Sequence, residues 1–343
     1  MVAAPVVSRM SPTIARRPRR TAKLVILATP VIPEVDEPEY RAVAEMARLA
    51  GCEVIVARDR AAQCEAIADA DIAFGYLAPE VLAHARRLRW LQAVCSGVDH
   101  QLYPAFVASP VVLTSEKGLV GPQLAEQAFA LLLALTRGIG TAIRAQQWAA
   151  RTQIRAAAWE LTGRTLGIIG LGGTGIEVAR RAEAFGMDVI AIASRPRPAG
   201  APFVRAVWGP ERFHDLLAAS DAVVITCPLT PATRGMFDAA SFAAMRRHAL
   251  LVNVGRGEVV EPAALVAALR AGVIAGAGLD VTPVEPLPAD HPLWAMENVI
   301  ITPHTAGASP HRGDRIVARF RRNLAHFLAD EQLEGAIDKL QGY

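Results

Sequence analysis

Thr165-Leu166-Gly167-Ile168-Ile169-Gly170-Leu171-Gly172-Gly173-Thr174-Gly175 is the stretch whose reading decides the fold. Residues 165–169 are a short apolar run of strand type, the glycines follow at once, and 176–185 has the spacing of a helix. A bare G-x-G-x-x-G is a weak signal, but the same string between a strand and a helix is a strong one. Gly170 permits the tight turn, Gly172 lets backbone approach a pyrophosphate, and Gly175 lets helix and strand pack closely. Around Gly173 and Thr174 the N–H groups stay unpaired at the positive end of the helix. The reading is a dinucleotide site.

About twenty residues on, a site for NAD carries Asp or Glu at the end of the second strand to bind the ribose diol. Here that strand is 188–193, so the acid position falls on Ala193, and Ser194, Arg195, Pro196 and Arg197 follow. A carboxylate would repel a 2′-phosphate, whereas a hydroxyl and a guanidinium bind one through charge-assisted hydrogen bonds. The expected cofactor is NADP in preference to NAD, with Arg195 as the main contact and Ser194 and Arg197 beside it.

The same alternation of strand and helix extends both ways. Strands are expected at 24–28, 53–57, 71–74 and 90–94, with helices at 37–50 and 79–87. After a long helical run at 123–148, further strands are expected at 165–169, 188–193, 222–226, 250–254, 276–281 and 299–302. Asp238 reads as an N-cap, and Gly186 and Gly272 sit where helix C′ residues would. Continuous apolar strands alternating with helices argue for parallel sheets covered on both faces. A chain of 343 residues has room for about two such units.

Composition removes other classes. The formal charge is +3, but Arg9, Arg16, Arg17, Arg19, Arg20 and Lys23 lie in the first 23 residues without an acid, which leaves the rest of the chain at −3. A slightly acidic body with a basic fringe gives no support for a nucleic-acid groove. The fringe, 1–23, is read as a disordered basic tail, because its prolines would interrupt a targeting helix. Mean hydropathy is positive, yet the apolar run in 122–135 is only the eight residues Ala128–Leu135, against about 20 for a bilayer span. No membrane partner is expected. Cys52, Cys64, Cys95 and Cys227 form no Cys-x-x-Cys, so the expectation is ordinary thiols in a reducing, cytoplasmic setting and no metal site.

Three titratable residues lie just beyond strands of the second series: Arg256 after 250–254, Glu285 after 276–281 and His304 after 299–302. In an open parallel sheet ligands bind outside the carboxyl ends of the strands, where such loops converge. Singly, each has a plain structural reading as a loop histidine, a solvated charge or an ion-pair partner.

Together with these residues, several stretches resemble the D-isomer-specific 2-hydroxyacid dehydrogenase family, of the glyoxylate/hydroxypyruvate reductase kind. They are CSGVDH (95–100), GPQLAEQAFALLLAL (121–135), TLGIIGLGGTG (165–175), CPLTPATRGMFD (227–238), NVGRGEVVEPAAL (253–265), GLDVTPVEPLPADHPLW (278–294) and NVIITPHTAG (298–307). The resemblance covers most of residues 90–310. It implies two doubly wound α/β domains: a Rossmann cofactor domain at 119–307, inserted in a flavodoxin-like substrate domain made of 24–118 and 308–343. It also implies a homodimer paired through the cofactor domains.

The family pattern further implies roles. Arg256 would bind the substrate carboxylate and polarise its keto oxygen, with the N–H groups of Gly97 and Val98 completing the clamp. His304 would exchange a proton with that oxygen, and Glu285 would hold the imidazole and stabilise its charged form. Cys227, Pro228, Val254, Asp280 and Gly307 would line the cofactor, with the carboxamide meeting Asp280. The chain departs from the pattern at Gly173-Thr174, where many relatives carry Arg-Ile, and at Pro283 and Val284, where acids are common. Glu285 argues against a formate-dehydrogenase-like member, which has glutamine there. Residues 74–79 and 92–94 hold no Arg, and no regulatory extension is expected after Tyr343. A phosphorylated substrate is therefore not expected.

The expected activity is hydride transfer between NAD(P)H and C2 of a small 2-oxo acid. Two alternatives stay open: an NAD-linked dehydrogenase of a bulkier D-2-hydroxy acid, with Tyr76 and Trp294 as pocket walls, and a dinucleotide-sensing scaffold like the corepressors of this fold.

Overall fold

The structure, a computed structural model, describes residues 21–194 and 202–343. The N-terminal expectation for 1–20, and the contacts expected of Arg195 and Arg197, lie outside the described residues. The chain divides into two units, one made of the residues up to Leu119 with Pro310–Tyr343, the other of Val120–Ser309.

In the first unit, β1 (Lys23–Leu27), β2 (Glu53–Ala57), β3 (Ile72–Gly75), β4 (Trp90–Gln92) and β5 (Val112–Thr114) form a parallel sheet in the order β2-β1-β3-β4-β5. That is the flavodoxin-type order. Both faces are buried: Leu24, Ile26, Phe74 and Trp90 lie in one apolar cluster, Val25, Leu27, Ala73 and Leu91 in another. The C-terminal helix Arg312–Leu328 covers the first face, where Phe320 stacks on Trp90 with ring centroids 5.2 Å apart. Beyond it, Ile337 donates its N–H to Leu113 and Gly335 accepts from Ser115, so the chain's last segment borders β5. Lys23, counted with the basic fringe, is instead the first residue of β1. It is buried, with Nζ 2.5 Å from Asp69.

The second unit carries seven parallel strands: β6 (Thr165–Ile169), β7 (Asp188–Ile192), β8 (Ala206–Trp208), β9 (Ala222–Ile225), β10 (Leu250–Asn253), β11 (Gly276–Leu279) and β12 (Val299–Ile301). Their order, β12-β11-β10-β9-β6-β7-β8, is the Rossmann order with one further strand at the β12 edge. Strand order reverses between β6 and β9. Two three-residue strands, β5 and β8, are absent from the sequence reading, because runs that short carry too little periodicity to register.

The run expected as one helix over 123–148 is broken. Gly121–Thr136 is helical, Gly138 takes a left-handed φ of +66°, and a second helix, Ile139–Ala145, leaves at 66° to the first. Gly138 adopts that turn without the Cβ penalty other residues meet, and the second helix buries no side chain that would hold it in line. The helix expected at 79–87 is only Pro79–Leu82. Among the described residues no single helix is long and apolar enough to cross a membrane.

The end of this sheet opposite the glycine turn is tied at Asp221, which is 4% exposed. It accepts the Thr165 N–H at 2.8 Å and Arg246 Nη1 at 2.8 Å, and His248 Nε2 lies 2.7 Å away. Burial alone would raise this carboxyl, but the contacts from His248, the Thr165 amide and Arg246 together outweigh it and hold the group below its ordinary value. A depressed folded-state value means stability that is present above about pH 4 and lost as pH falls through that value. Asp221→Asn is therefore expected to cost about 2 kcal/mol at pH 7. Thermal melts followed by circular dichroism should show the gap to the parent protein narrowing as pH is lowered from 5 toward 3.

Candidate active site

Strands β10, β11 and β12 are neighbours, so the loops leaving their carboxyl ends are neighbours too. Arg256 leaves β10. The buried Asn253 fixes its turn by accepting the Gly255 N–H at 3.0 Å and donating Nδ2 to the Arg256 carbonyl at 2.9 Å. Glu285 leaves β11, and its Oε1 accepts the Thr282 N–H at 3.0 Å. His304 leaves β12, and its Nδ1 lies 2.7 Å from Glu285 Oε2. Half of the His304 side chain is exposed.

These loops also touch through backbone. A Cβ placed on Gly257 would lie 2.0 Å from the carbonyl carbon of Thr282, so the Arg256 turn is seated directly on the loop that carries Glu285. The structure thus brings Glu285 and His304 into contact and sets the Arg256 loop against the loop of Glu285. Gly97 and Val98 belong to the first unit, in the loop after β4, with Val98 2% exposed.

His304 has a left-handed φ of +53°. For a residue with a Cβ this costs on the order of 1–3 kcal/mol and persists only where the surroundings over-determine it. The surroundings here are Asp280. Its backbone carbonyl accepts the His304 N–H at 2.8 Å, and its carboxylate, 2% exposed, accepts the Thr302 hydroxyl at 2.6 Å and the N–H groups of Thr305 at 3.1 Å and Ala306 at 2.9 Å. Read from sequence as a cofactor contact, Asp280 is also the anchor of the His304 loop.

The glycine turn lies at the reversal of strand order, the usual place for a ligand in such a sheet. Gly170 has φ +98°, and a Cβ there would lie 2.7 Å from Cys227 Cα, so the turn after β6 packs on the loop after β9. A Cβ on Gly175 would meet the Gly170 carbonyl oxygen at 2.2 Å, the close helix-on-strand approach the motif predicts. At Gly172 a Cβ would meet nothing within 4 Å, and the helix Gly173–Ala184 begins there with Thr174 in its first turn. Open space over a glycine at a helix N-terminus fits a pyrophosphate, so the residues present suit a dinucleotide. Ser194 is exposed just past β7, and no acid ends that strand.

Cys227 and Val254 are buried, and burial pushes the Cys227 thiol up to about 12, so its role here is to pack rather than react. Pro228 accepts the Thr233 hydroxyl at 2.7 Å, and Gly307 accepts Gln123 Nε2 at 3.4 Å. Trp294, weighed as a pocket wall, is half exposed and donates Nε1 to the Pro288 carbonyl. The sequence reading missed Gln123, Gln127, Asn253, Thr282 and Thr302. Only their places in the quoted stretches hinted at them: the Gln123–Gly307 and Gln127–Thr302 bonds span more than a hundred residues and leave no local pattern.

Residues 129–306 match the family model described as D-isomer specific 2-hydroxyacid dehydrogenase, NAD binding domain. The chain is 36% identical over 256 residues to a glyoxylate reductase of Korarchaeum cryptofilum, covering 74% of this chain and 76% of that protein. It is 36% identical over 234 residues to the human glyoxylate reductase/hydroxypyruvate reductase, covering 67% and 70%. Among solved structures it is similar to an NADPH-dependent glyoxylate/hydroxypyruvate reductase of Sinorhizobium meliloti in complex with NADP and sulfate. The TM-score there is 0.77 at 28% identity, over 94% of this chain and all of that one. With the two parallel sheets and the loops at their carboxyl ends, these matches establish that the chain belongs to the D-isomer specific 2-hydroxyacid dehydrogenases, oxidoreductases that work with NAD(P).

Proposed function

We propose that the protein reduces a small, unphosphorylated 2-oxo acid of the glyoxylate or hydroxypyruvate kind and prefers NADPH. The observation that carries this reading is the 2.7 Å contact of His304 Nδ1 with Glu285, beside the Arg256 loop. When bound, the dihydronicotinamide supplies a hydride to C2 of the acid. His304 turns Nδ1 to Glu285, so Nε2 is the nitrogen that gives its proton to the carbonyl oxygen as charge develops there. Glu285 holds the ring and balances the imidazolium. Arg256 takes the substrate carboxylate as a two-pronged donor and draws electron density from the keto group.

The coenzyme preference is supported by Ala193 and Ser194 at the end of β7, where a carboxylate for the ribose diol would otherwise stand. Arg195 and Arg197 are assigned to the 2′-phosphate on sequence alone. Several relatives are named as glyoxylate reductases and similar structures were solved with NADP or NADPH, which agrees with both halves of the proposal. A homodimer is part of it. In the second unit the helices Ile139–Ala145 and Arg151–Ala157 bury no side chain, and Ile143 and Trp148 are 66% and 87% exposed. Such an apolar surface calls for a cover.

The test follows absorbance of NADPH and NADH side by side with a panel of 2-oxo acids. At least tenfold higher kcat/KM with NADPH, and turnover of glyoxylate or hydroxypyruvate, is expected. A preference for NADH would refute the phosphate assignment, and no oxidation with any acid would leave the binding-module reading standing.

A further inference from the structure

We propose that Gln127 and Thr302 are positioning residues for His304, acting through Asp280 as a polarised chain of hydrogen bonds. The inference rests on reading His304 as the proton donor. Thr302 has a single hydroxyl proton, and the 2.6 Å contact to Asp280 Oδ1 uses it, since a carboxylate only accepts. Gln127 Nε2, 2.9 Å from the same hydroxyl, must therefore donate into its lone pair. Amide, hydroxyl and carboxylate thus run in one direction. Gln127 fixes the rotor of Thr302, Thr302 fixes one oxygen of Asp280, and the two oxygens hold the N–H groups on the far side of His304.

The support for this chain is rigid. Gln127 stands on the helix Gly121–Thr136, which is pressed onto β11 so closely that a Cβ on Gly278 would lie 2.8 Å from Leu131 Cβ. Gln123, four residues earlier and so on the same face of the helix, reaches the Gly307 carbonyl at the other end of the loop. One helix grips both ends of 302–307, and the left-handed His304 lies between the grips. A histidine in a costly backbone conformation, with half its side chain exposed, needs such a frame to keep its ring on Glu285.

The test compares the parent protein and H304A with Thr302→Val, Thr302→Ser, Gln127→Met and Gln127→Glu, using NADPH and glyoxylate. Thr302→Val keeps the shape and removes the hydroxyl. It should lower kcat about tenfold with KM for glyoxylate within twofold, because the acid is misplaced while the carboxylate clamp is untouched. Thr302→Ser should restore kcat to within twofold of the parent. Gln127→Glu, whose carboxylate competes with Asp280 for the one proton, should lower kcat more than Gln127→Met.

A readout that needs no turnover accompanies these rates, namely the downfield proton NMR resonance of the His304 Nδ1–H held by Glu285, assigned by its absence in H304A. It should vanish in Thr302→Val and persist in Thr302→Ser. Should the parent turn over no 2-oxo acid, the proposed function fails while the resonance still decides the positioning role. An active parent with kcat and resonance unchanged in Thr302→Val and Gln127→Glu overturns the inference, as does a loss in Thr302→Val that Thr302→Ser fails to recover. Should Thr302→Val not fold, the two Gln127 variants decide alone.

Discussion

His304→Ala is expected to lower kcat for 2-oxo acid reduction about 10³-fold while KM for the acid changes by less than about threefold. Hydride arrival at C2 turns the carbonyl oxygen into an alkoxide, and without a donor that charge must be met by water or by Arg256 alone. A general acid placed within hydrogen-bond reach is worth roughly 10²–10⁴ in rate. The middle of that range applies, and not its lower end, because the ring is held on its far side: Glu285 Oε2 sits 2.7 Å from Nδ1, and Glu285 is itself fixed by the Thr282 N–H. KM should move little because carboxylate binding is assigned to Arg256 and not to the imidazole. Added imidazole should recover part of the rate in the alanine variant, since the space left by the ring opens on a half-exposed site. Retention of kcat within threefold of the parent would remove His304 from the mechanism.

The strand–turn–helix at 165–184 was legible because three local signals agree there: apolar run, glycine spacing and helical period. The strands at 53–57, 222–225, 250–253 and 276–279 were legible from short apolar runs of strand length set between helical stretches. The break at Gly138 was not. Leu135 and Ile139 keep a helical spacing across it, and only the tertiary surroundings decide that the chain turns. Arg256, Glu285 and His304 could be named from their motifs and their places after strands. Their adjacency follows from β10, β11 and β12 being neighbours, which sequence order alone does not dictate. The left-handed backbone of His304 and its anchorage on Asp280 were invisible, because nothing in Thr-Pro-His-Thr-Ala announces a conformation that only a distant carboxylate stabilises.

Gly257→Ala is expected to lower kcat about 10²-fold although the residue touches no reacting atom. The added methyl would lie 2.0 Å from the carbonyl carbon of Thr282, 2.2 Å from its oxygen and 2.4 Å from Pro283 N. All three are backbone atoms, so no side chain can swing aside to make room. The 282–285 loop has little freedom to yield locally: Pro283 fixes its own φ, and the Thr282 hydroxyl is tied to the Val284 carbonyl at 2.8 Å. Relief must come from moving that loop away from β10 as a piece, or from moving the Arg256 turn. In the first case Glu285 leaves His304, because the Thr282 N–H that holds Oε1 travels with the loop. In the second the guanidinium leaves the position from which it is proposed to bind the substrate carboxylate. A misplacement of about 1 Å in such a constellation is worth roughly 10² in rate, and overpacking of this kind costs about 1–3 kcal/mol of stability. The two routes separate in the kinetics, since loss of the Glu285–His304 contact lowers kcat with KM kept, whereas displacement of Arg256 raises KM for the 2-oxo acid. Steady-state rates and a thermal melt on the same preparation check this. A variant that melts like the parent and turns over within threefold of it would show that the Arg256 and Glu285 loops are not wedged together at Gly257.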